Sequence, residues 1–310
     1  RPEQATIQID IDPTELGRTF RPTVALNGDV KGTLAALLDK LEPRDNPGWL
    51  EEIAEVKAEA EEQRAEEAAS DEVPLAPPRV MQALAERIEP GDVIISDASF
   101  AAGWIAAYLP ATEGGRNFLF ARGLGGLGYA VPAALGAAAA RPGSRIVTIN
   151  GDGGISYAIG ELAGHAVHGL RTVNIVLNNG TLGWLQMWQE LFFEDLRQSV
   201  DLESEEVRPD FAAAAGALGC SGFRAEQPEE LGEALDGAFS ATGPAVVDVR
   251  IDSRATPIHG FRRRIGEDKT FDRPGAEYEL RPWTRSAETS SIGTEGPEEE
   301  LPESQRGAHA

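Results

Sequence analysis

Short apolar runs alternate with helical stretches along the central part of the chain. Between Ile155 and His168 the apolar residues recur at helical spacing, and Gly169 can end a helix there. Five apolar runs have the length expected of buried β-strands: residues 93–96, 118–121, 146–149, 173–177 and 245–251. This alternation predicts an α/β fold with a doubly wound parallel sheet over residues 79–255.

The pattern changes before this central part. Residues 1–42 hold a strand-like run around Ile7 and a helical stretch from Val30 to Leu41. One strand and one helix are too little to bury a core of their own. We therefore expect residues 1–42 to be the end of a preceding α/β domain, whose earlier part lies upstream of Arg1.

Three further segments differ from both of these parts in composition. Residues 43–78 are predicted to be a charged connector, because they are rich in Glu and Ala at first and then carry several prolines. Residues 256–285 lose the regular alternation and are expected to form a C-terminal extension. Residues 286–310 are polar and acidic and carry Pro and Gly, which predicts a disordered tail.

Two polar turns follow neighbouring strands of the predicted sheet. Gly151-Asp152-Gly153-Gly154 comes after the run at 146–149, and Asn178-Asn179-Gly180-Thr181 comes after the run at 173–177. A strand, helix and strand of this length form a right-handed crossover, so Asp152 and Asn179 are expected at the same carboxyl edge of the sheet. Ligands bind at that edge in folds of this class.

The residue types in these turns suit a diphosphate held through a divalent metal. Mg²⁺ prefers hard oxygen ligands and keeps phosphate oxygens in its shell, so one carboxylate, one amide oxygen and one main-chain carbonyl suffice from the protein. Gly153 and Gly154 allow the backbone to come close to phosphate at the start of a helix, where an anion is favoured. The alternative is a surface turn and an Asn-Gly turn with no ligand.

The segment from Gly151 to Thr181 resembles the diphosphate-binding signature of thiamine diphosphate (ThDP) enzymes, a G-D-G followed by N-N. Its flanks, FLFARGLGGLGYAVP at 118–132 and LGWLQMWQELFF at 182–193, resemble acetolactate synthase and related ThDP-dependent decarboxylases and carboligases. The similarity runs from about Ile7 to Asp252. It implies the ThDP-binding fold for residues 79–255 and the end of a middle domain for residues 1–42.

The resemblance also implies roles for individual residues. Asp152 and Asn179 would be side-chain ligands of Mg²⁺, and Thr181 would contribute its carbonyl. Five further residues would bind the cofactor around them: Gly151, Gly153, Gly154, Leu182 and Gly183.

The catalytic end of the cofactor would be held by a second group of residues. Leu127 would lie beneath the bent cofactor and force its two rings together, and Gly125 would offer its carbonyl to the aminopyrimidine. Trp188 matches a residue that acetolactate synthases place over the substrate channel. Core packing for Leu127 and helix-face packing for Trp188 are the alternatives.

A dinucleotide fingerprint, G-x-G-x-x-G, competes for part of this region. Gly123, Gly125 and Gly128 match it. The acidic residue expected about twenty positions later would fall within residues 145–150, which contain none. An NAD-binding oxidoreductase therefore remains only a remote alternative.

Composition narrows the possible partners. The 310 residues carry a net charge of −23 with 28 basic residues, of which only four are lysines. Such an acidic chain is an improbable partner for nucleic acid, and this balance resembles that of proteins from salt-loving archaea. No apolar run reaches membrane-spanning length, and a cytoplasmic location is expected. Cys220 is the only cysteine, so no internal disulfide is possible.

The resemblance implies ThDP- and Mg²⁺-dependent decarboxylation and carboligation of a 2-oxo acid, first of all pyruvate to acetolactate. In the family, a glutamate of an N-terminal domain, usually from the partner subunit, completes the site. We therefore expect a homodimer or homotetramer with a shared active site, and no turnover by this chain alone. Some relatives bind FAD through the middle domain, and residues 1–42 do not decide whether this protein does.

Two departures from acetolactate synthases keep other functions open. Residues 97–101, Asp-Ala-Ser-Phe-Ala, lack the Gln-His that typical acetolactate synthases carry, and residues 252–265 lack the expected Pro-rich segment. The alternatives are another 2-oxo acid decarboxylase, such as a benzoylformate decarboxylase-like enzyme, a natural half-enzyme subunit, and a non-catalytic cofactor-binding relative.

Overall fold

The computed structural model of this protein describes residues 4–115, 117–193 and 197–257. Within them the chain divides into two compact units, with the boundary between Glu62 and Gln63. The second unit contains a six-stranded sheet in which all paired strands are parallel. The predicted α/β class with a doubly wound parallel sheet is confirmed.

The strands of this sheet are numbered in chain order after the two strands of the first unit. They are β3 (Val93–Ser96), β4 (Phe118–Phe120), β5 (Ile146–Gly151), β6 (Thr172–Asn178), β7 (Ser221–Ala225) and β8 (Ala245–Arg250). Their order across the sheet is β4-β3-β5-β6-β8-β7. The five predicted runs all form strands, because each is a continuous apolar stretch bounded by turn residues.

Strand β7 was not predicted. Its sequence, Ser-Gly-Phe-Arg-Ala, has only two apolar side chains, and four of its five residues are exposed or half-buried. It pairs only with β8 and lies at the edge of the sheet. An edge strand can be this polar because one of its sides has no strand to pack beside.

Helices cover the faces of the sheet, and their bounds are as follows: α3 (Pro77–Ala85), α4 (Phe100–Tyr108), α5 (Ala130–Ala140), α6 (Asp152–Ala158), α7 (Leu162–Val167), α8 (Gly183–Phe192), α9 (Phe211–Ala217) and α10 (Pro228–Ser240). The single helix expected over 155–168 begins earlier, at Asp152, and is interrupted by a 3-10 turn at Ile159–Glu161. Gly160 lies in this turn and has a low helix propensity.

The first unit is small. It contains β1 (Ile7–Asp10) and β2 (Val24–Asn27), which pair in parallel, and α1 (Val30–Leu38), which buries none of its residues. Helix α2 (Pro47–Ala68) runs across the boundary at residue 62. Strand β2 was not predicted, because four residues between turns give too short a pattern. The division into five segments stays a prediction, and of residues 256–310 only Thr256 and Pro257 belong to the described part.

The core of the second unit lies on both faces of the sheet. One cluster joins α3, α4 and α10 to the sheet through residues such as Trp104, Leu84 and Leu235, all nearly inaccessible to solvent. A cluster that includes Ile155 and Leu162 packs α5, α6, α7 and α9 against the sheet. Every residue of β6 is buried, as expected of a strand covered on both sides. None of the described helices is long and apolar enough to cross a membrane.

Candidate functional site

The sheet changes its winding direction at β3 and β5. From β3 the chain passes to β4 on one side, and then returns to β5 on the other side. The segments that follow such strands diverge and leave a crevice at the carboxyl edge, where ligands bind in this class of fold. An open cavity lies at this edge, and the space of about 510 Å³ within its outline includes open solvent. Its walls include Ser99, Leu127, Gly151, Asp152, Gly153, Gly154, Asn179, Thr181, Leu182 and Gly183.

Asp152 is the charged group of this cavity. It is the first residue of α6 and is only 3% exposed. Its Oδ1 accepts a hydrogen bond from the Gly153 amide at 2.9 Å, and its Oδ2 accepts one from the Gly180 amide at 2.6 Å. Burial raises the pKa of Asp152 to about 6, although these amides and the charge of Arg250 oppose the rise. A cation at this carboxylate would offset the cost of burying its charge.

The second polar turn reaches the same cavity. Gly151 of β5 is paired with Leu177 of β6, so the two turns leave the sheet side by side. Gly180 has a φ of +70°, which allows the chain to turn back so that its amide meets Asp152. Asn179 lines the cavity, and its Oδ1 also accepts a hydrogen bond from the Thr181 amide at 3.2 Å.

The oxygen donors of this cavity suit a hard divalent cation. The candidates are the carboxylate of Asp152, the amide oxygen of Asn179 and the main-chain carbonyl of Thr181, since all three residues line the cavity. In the described part of the chain, no three His, Cys, Asp or Glu side chains form a cluster that could hold a metal by themselves. A site with one carboxylate and neutral oxygens leaves coordination positions for the oxygens of a phosphate ligand. The donor set therefore fits Mg²⁺ with a diphosphate.

Glycines allow the segments of the site to pack this closely. A Cβ on Gly153 would lie 2.6 Å from Cδ2 of Leu182, and a Cβ on Gly183 would lie 2.8 Å from Nδ2 of Asn179. A Cβ on Gly154 would lie 2.9 Å from the carboxyl group of Asp97. These distances are shorter than real Cβ contacts, so each of the three positions requires glycine in this arrangement.

A second cavity adjoins the first and shares Leu127, Leu182, Ala98 and Ser99 with it. It is also open, so the space of about 920 Å³ within its outline includes solvent, and it is lined mainly by apolar residues and by the loop that contains Gly125. Leu127 is 38% exposed and forms part of the wall of both cavities. This is a suitable place for the remainder of an elongated ligand whose anionic end lies near Asp152.

Trp188 lies apart from both cavities. It is on α8, half-buried, and its ring stacks on that of Phe192 with the centroids 4.7 Å apart. It is not among the residues that line either cavity. The other predicted residues, including Gly125 and Leu127, all border one or both of them. The substrate-channel role of Trp188 therefore stays a prediction.

Asp97 and Ser99 were not identified as site residues from the sequence. The carboxylate of Asp97 is fully buried and accepts hydrogen bonds from the amides of Ala98 at 2.6 Å and Gly128 at 3.1 Å. Burial raises its pKa above the usual value for an aspartate. A signal was present, since Asp97 follows an apolar strand directly, as the Gly-Asp pair at 151–152 does.

Ser99 has a backbone conformation that side chains rarely adopt. Its φ is 75° and its ψ is −145°, a region populated almost only by glycine. It borders both cavities. Strain of this kind costs about 1–3 kcal/mol and is concentrated at functional sites, which supports a site at this edge.

The three glycines of the dinucleotide fingerprint are part of the same region. Gly123 and Gly125 line the second cavity, and the amide of Gly128 donates to Asp97. The strand before them, β4, lies at the edge of the sheet. The loop thus serves to shape the cavity beside Leu127 and to start α5.

Comparisons with known proteins agree with this geometry. Residues 97–249 match the family described as thiamine pyrophosphate enzyme, C-terminal TPP binding domain. The chain is 33% identical to an acetolactate synthase of Mycobacterium bovis over 264 residues, which are 83% of this chain and 43% of that protein. A probable acetolactate synthase large subunit of Methanocaldococcus jannaschii is 33% identical over 83% of this chain and 44% of its own length. For the acetolactate synthase isozyme 2 large subunit of Escherichia coli, the identity is 30%, over 81% of this chain and 44% of that protein. The chain therefore spans less than half the length of these relatives.

Proposed function

We propose that this chain, which belongs to the acetolactate synthase-like thiamine pyrophosphate enzymes, binds thiamine diphosphate through Mg²⁺ and takes part in decarboxylation and carboligation of a 2-oxo acid. The observation that carries this proposal is the cavity at the β3–β5 crevice, which is lined by Asp152, Asn179 and Thr181, three residues that can each offer an oxygen ligand. Pyruvate is the 2-oxo acid we propose first, and acetolactate is the corresponding product.

Asp152, Asn179 and the carbonyl of Thr181 would hold the metal. The buried carboxylate of Asp152 supplies the one negative charge, and the two amides that donate to it fix its orientation. The phosphate oxygens would complete the metal shell, while Gly151, Gly153, Gly154, Leu182 and Gly183 would leave room for the diphosphate. This arrangement supports binding that depends on both the metal and Asp152.

Leu127 would support the reactive end of the cofactor, because it stands between the two cavities. Gly125, in the same loop, would accept a hydrogen bond from the aminopyrimidine through its carbonyl. Bound thiamine diphosphate supplies a nucleophilic carbon and an electron sink for loss of CO₂ from a 2-oxo acid. The apolar lining of the second cavity would keep water away from that end of the site.

A complete active site would need a further part of the protein or a partner subunit. The chain spans less than half the length of its acetolactate synthase relatives. We propose that residues 4–257 supply the metal and diphosphate half of the site, and that the acid that activates the cofactor comes from outside them, within a homodimer or homotetramer. A cytoplasmic location belongs to the same proposal.

Calorimetric titration of ThDP tests the proposed site directly. We expect heat of binding in the presence of Mg²⁺ and loss of binding with EDTA or with Asp152→Ala. Asp236→Ala is a matched control, since Asp236 is exposed and pairs with Arg87 away from both cavities. Binding that is unaffected by EDTA and by Asp152→Ala would contradict the proposed metal site. Binding of NAD(H) without a need for Mg²⁺ would favour the dinucleotide alternative.

A different 2-oxo acid is the second candidate. Residues 97–101 lack the Gln-His that typical acetolactate synthases carry, and three of them, Ser99, Phe100 and Ala101, border the first cavity. A benzoylformate decarboxylase-like or other decarboxylase activity would accommodate this change. A panel of 2-oxo acids, assayed with the upstream part of the protein supplied, separates these possibilities by the product formed.

A further inference from the structure

An extended segment runs beside the turn that carries Asn179 and Thr181. We call residues 200–203 the strap. The amide of Leu182 donates to the carbonyl of Val200 at 2.8 Å, and the amide of Leu202 donates to the carbonyl of Gly180 at 2.9 Å. The hydroxyl of Thr181 donates to the carbonyl of Val200 at 2.9 Å. The strap therefore pairs in antiparallel fashion with residues 180–182, which we call the metal loop, and Thr181 lies opposite Asp201.

Ion pairs of Glu203 fix the end of the strap: it pairs with Arg250 of the sheet, and Nε of Arg208 lies 3.5 Å from its Oε2. The guanidinium of Arg250, at the end of β8, donates to both carboxylate oxygens of Glu203, with Nη1 to Oε2 at 2.7 Å. Arg250 also donates to Oδ1 of Asn178 at 3.2 Å. The side chains of Arg250 and Glu203 are only 15% and 21% exposed. An ion pair as sheltered as this one is weakly screened by solvent.

The Glu203 side chain lies directly against the loop. A Cβ on Gly180 would collide with the carboxyl group of Glu203, so there is no free space between them. The amide of Gly180 in turn donates to Asp152. A continuous set of contacts thus leads from Arg250 through Glu203 and Gly180 to the proposed metal ligand.

We propose that Glu203 and Arg250 are positioning residues of the metal loop, and that Glu203 also cancels a positive charge that would otherwise oppose binding of a divalent cation at Asp152. This inference rests on the proposed function. Arg250 and Glu203 border one pocket together with Asn179 and Gly180, so both charges lie beside the loop that carries the proposed metal ligands. A divalent cation brought to Asp152 is repelled by the charge of Arg250 unless Glu203 neutralises it.

The experiment compares four proteins: the unchanged chain, Glu203→Gln, the double variant Glu203→Gln with Arg250→Gln, and Glu205→Gln. Glu205 is exposed and lies two residues beyond the strap contact, so its variant removes the same charge without touching the loop. Two quantities are measured. The first is amide hydrogen exchange at Gly180, Leu182 and Leu202 without any ligand, and the second is the Mg²⁺ concentration that half-saturates ThDP binding.

We expect exchange at these amides to become at least about tenfold faster in Glu203→Gln and in the double variant, because both lose the ion pair. The Mg²⁺ requirement should rise about tenfold in Glu203→Gln and return toward that of the unchanged chain in the double variant. If the ion pair only holds the strap in place, the double variant should need as much Mg²⁺ as Glu203→Gln does. Glu205→Gln should change neither quantity.

Unchanged exchange in Glu203→Gln would overturn the positioning role, and a double variant that needs as much Mg²⁺ as the single one would overturn the charge role. If Glu203→Gln does not fold, Arg250→Gln decides both roles: exchange should be faster, while the Mg²⁺ requirement should rise by clearly less than about tenfold, because this variant removes the positive charge. Loss of Mg²⁺-dependent ThDP binding in the unchanged chain would instead contradict the proposed function, and the exchange data would remain interpretable without it.

Discussion

The structure predicts that a proton and Mg²⁺ compete for the carboxylate of Asp152. Burial raises the pKa of this carboxyl group to about 6, and a metal binds only to the ionised form. With that pKa, about nine tenths of the groups are ionised at pH 7 and about one tenth at pH 5. The affinity for Mg²⁺ and ThDP should therefore fall about tenfold between pH 7 and pH 5.

The assay is calorimetric titration at pH 5, 6 and 7, each in two buffers with different heats of ionisation. The difference between the buffers gives the number of protons released on binding, which should be largest at pH 5 and smallest at pH 7. ThDP itself binds protons and Mg²⁺ in this range, so its affinity for Mg²⁺ without protein is measured in the same buffers and subtracted. A corrected affinity that changes less than about twofold would refute the assignment of Asp152 as the metal ligand.

The raised pKa of Asp152 also predicts how the stability of the protein without ligand changes with pH. The folded pKa of this carboxyl group, about 6, lies above the unfolded value near 3.8, so the unfolded state ionises first as the pH rises. The free energy of unfolding should therefore decrease between about pH 4 and pH 6, by about 2 kcal/mol from this residue. Urea unfolding of the unchanged chain and of Asp152→Ala at pH 4 and pH 7 isolates this contribution. A difference between the two proteins that does not depend on pH would contradict it.

Three further substitutions test the surroundings of the site by urea unfolding. Ser99→Gly should raise the free energy of unfolding by about 1–2 kcal/mol because it relieves the positive φ, whereas Ser99→Ala should give no gain; equal values for the two would argue against strain. Gly180→Ala should lower the free energy of unfolding by about 1–3 kcal/mol, because the added Cβ would meet Glu203 and φ is +70°. An unchanged free energy of unfolding would refute this packing. Arg145→Met leaves the buried Asp92 without its ion pair and should lower the free energy of unfolding by about 3–5 kcal/mol, and an unchanged value would contradict the ion-pair explanation.

Local sequence patterns were sufficient for the centre of the fold and for the placement of the two polar turns at one edge of the sheet. Strands β5 and β6 are buried on both faces, so their apolar runs are unbroken, and each ends at a recognisable polar turn. The crossover rule then brings Asp152 and Asn179 to one edge without further information. The structure agrees, since Asp152 and Asn179 line one cavity.

Features that depend on distant parts of the chain could not be predicted in this way. Glu203 and Arg250 are separated by 47 residues, and no local pattern indicates that their side chains meet. The strap that contains Glu203 is too short and irregular to give a strand signal. Strand β7 is polar because it lies at an edge, which only the order of strands in the sheet explains.

Asp97 and Asp152 give the same sequence signal, and only their contacts show that one holds a loop in place while the other is suited to a metal ion. Both are buried aspartates at the carboxyl ends of adjacent strands, and burial raises the pKa of both. Asp97 accepts from the amides of Ala98 and of residues 128–130, which uses its oxygens to hold the loop before α5 in place. Asp152 accepts from three amides, its own and those of Gly153 and Gly180, which is one donor fewer than Asp97 has and leaves it more capacity for a further partner. The carboxylate with spare capacity is the one that lines the cavity, and it is therefore the one suited to a metal ion.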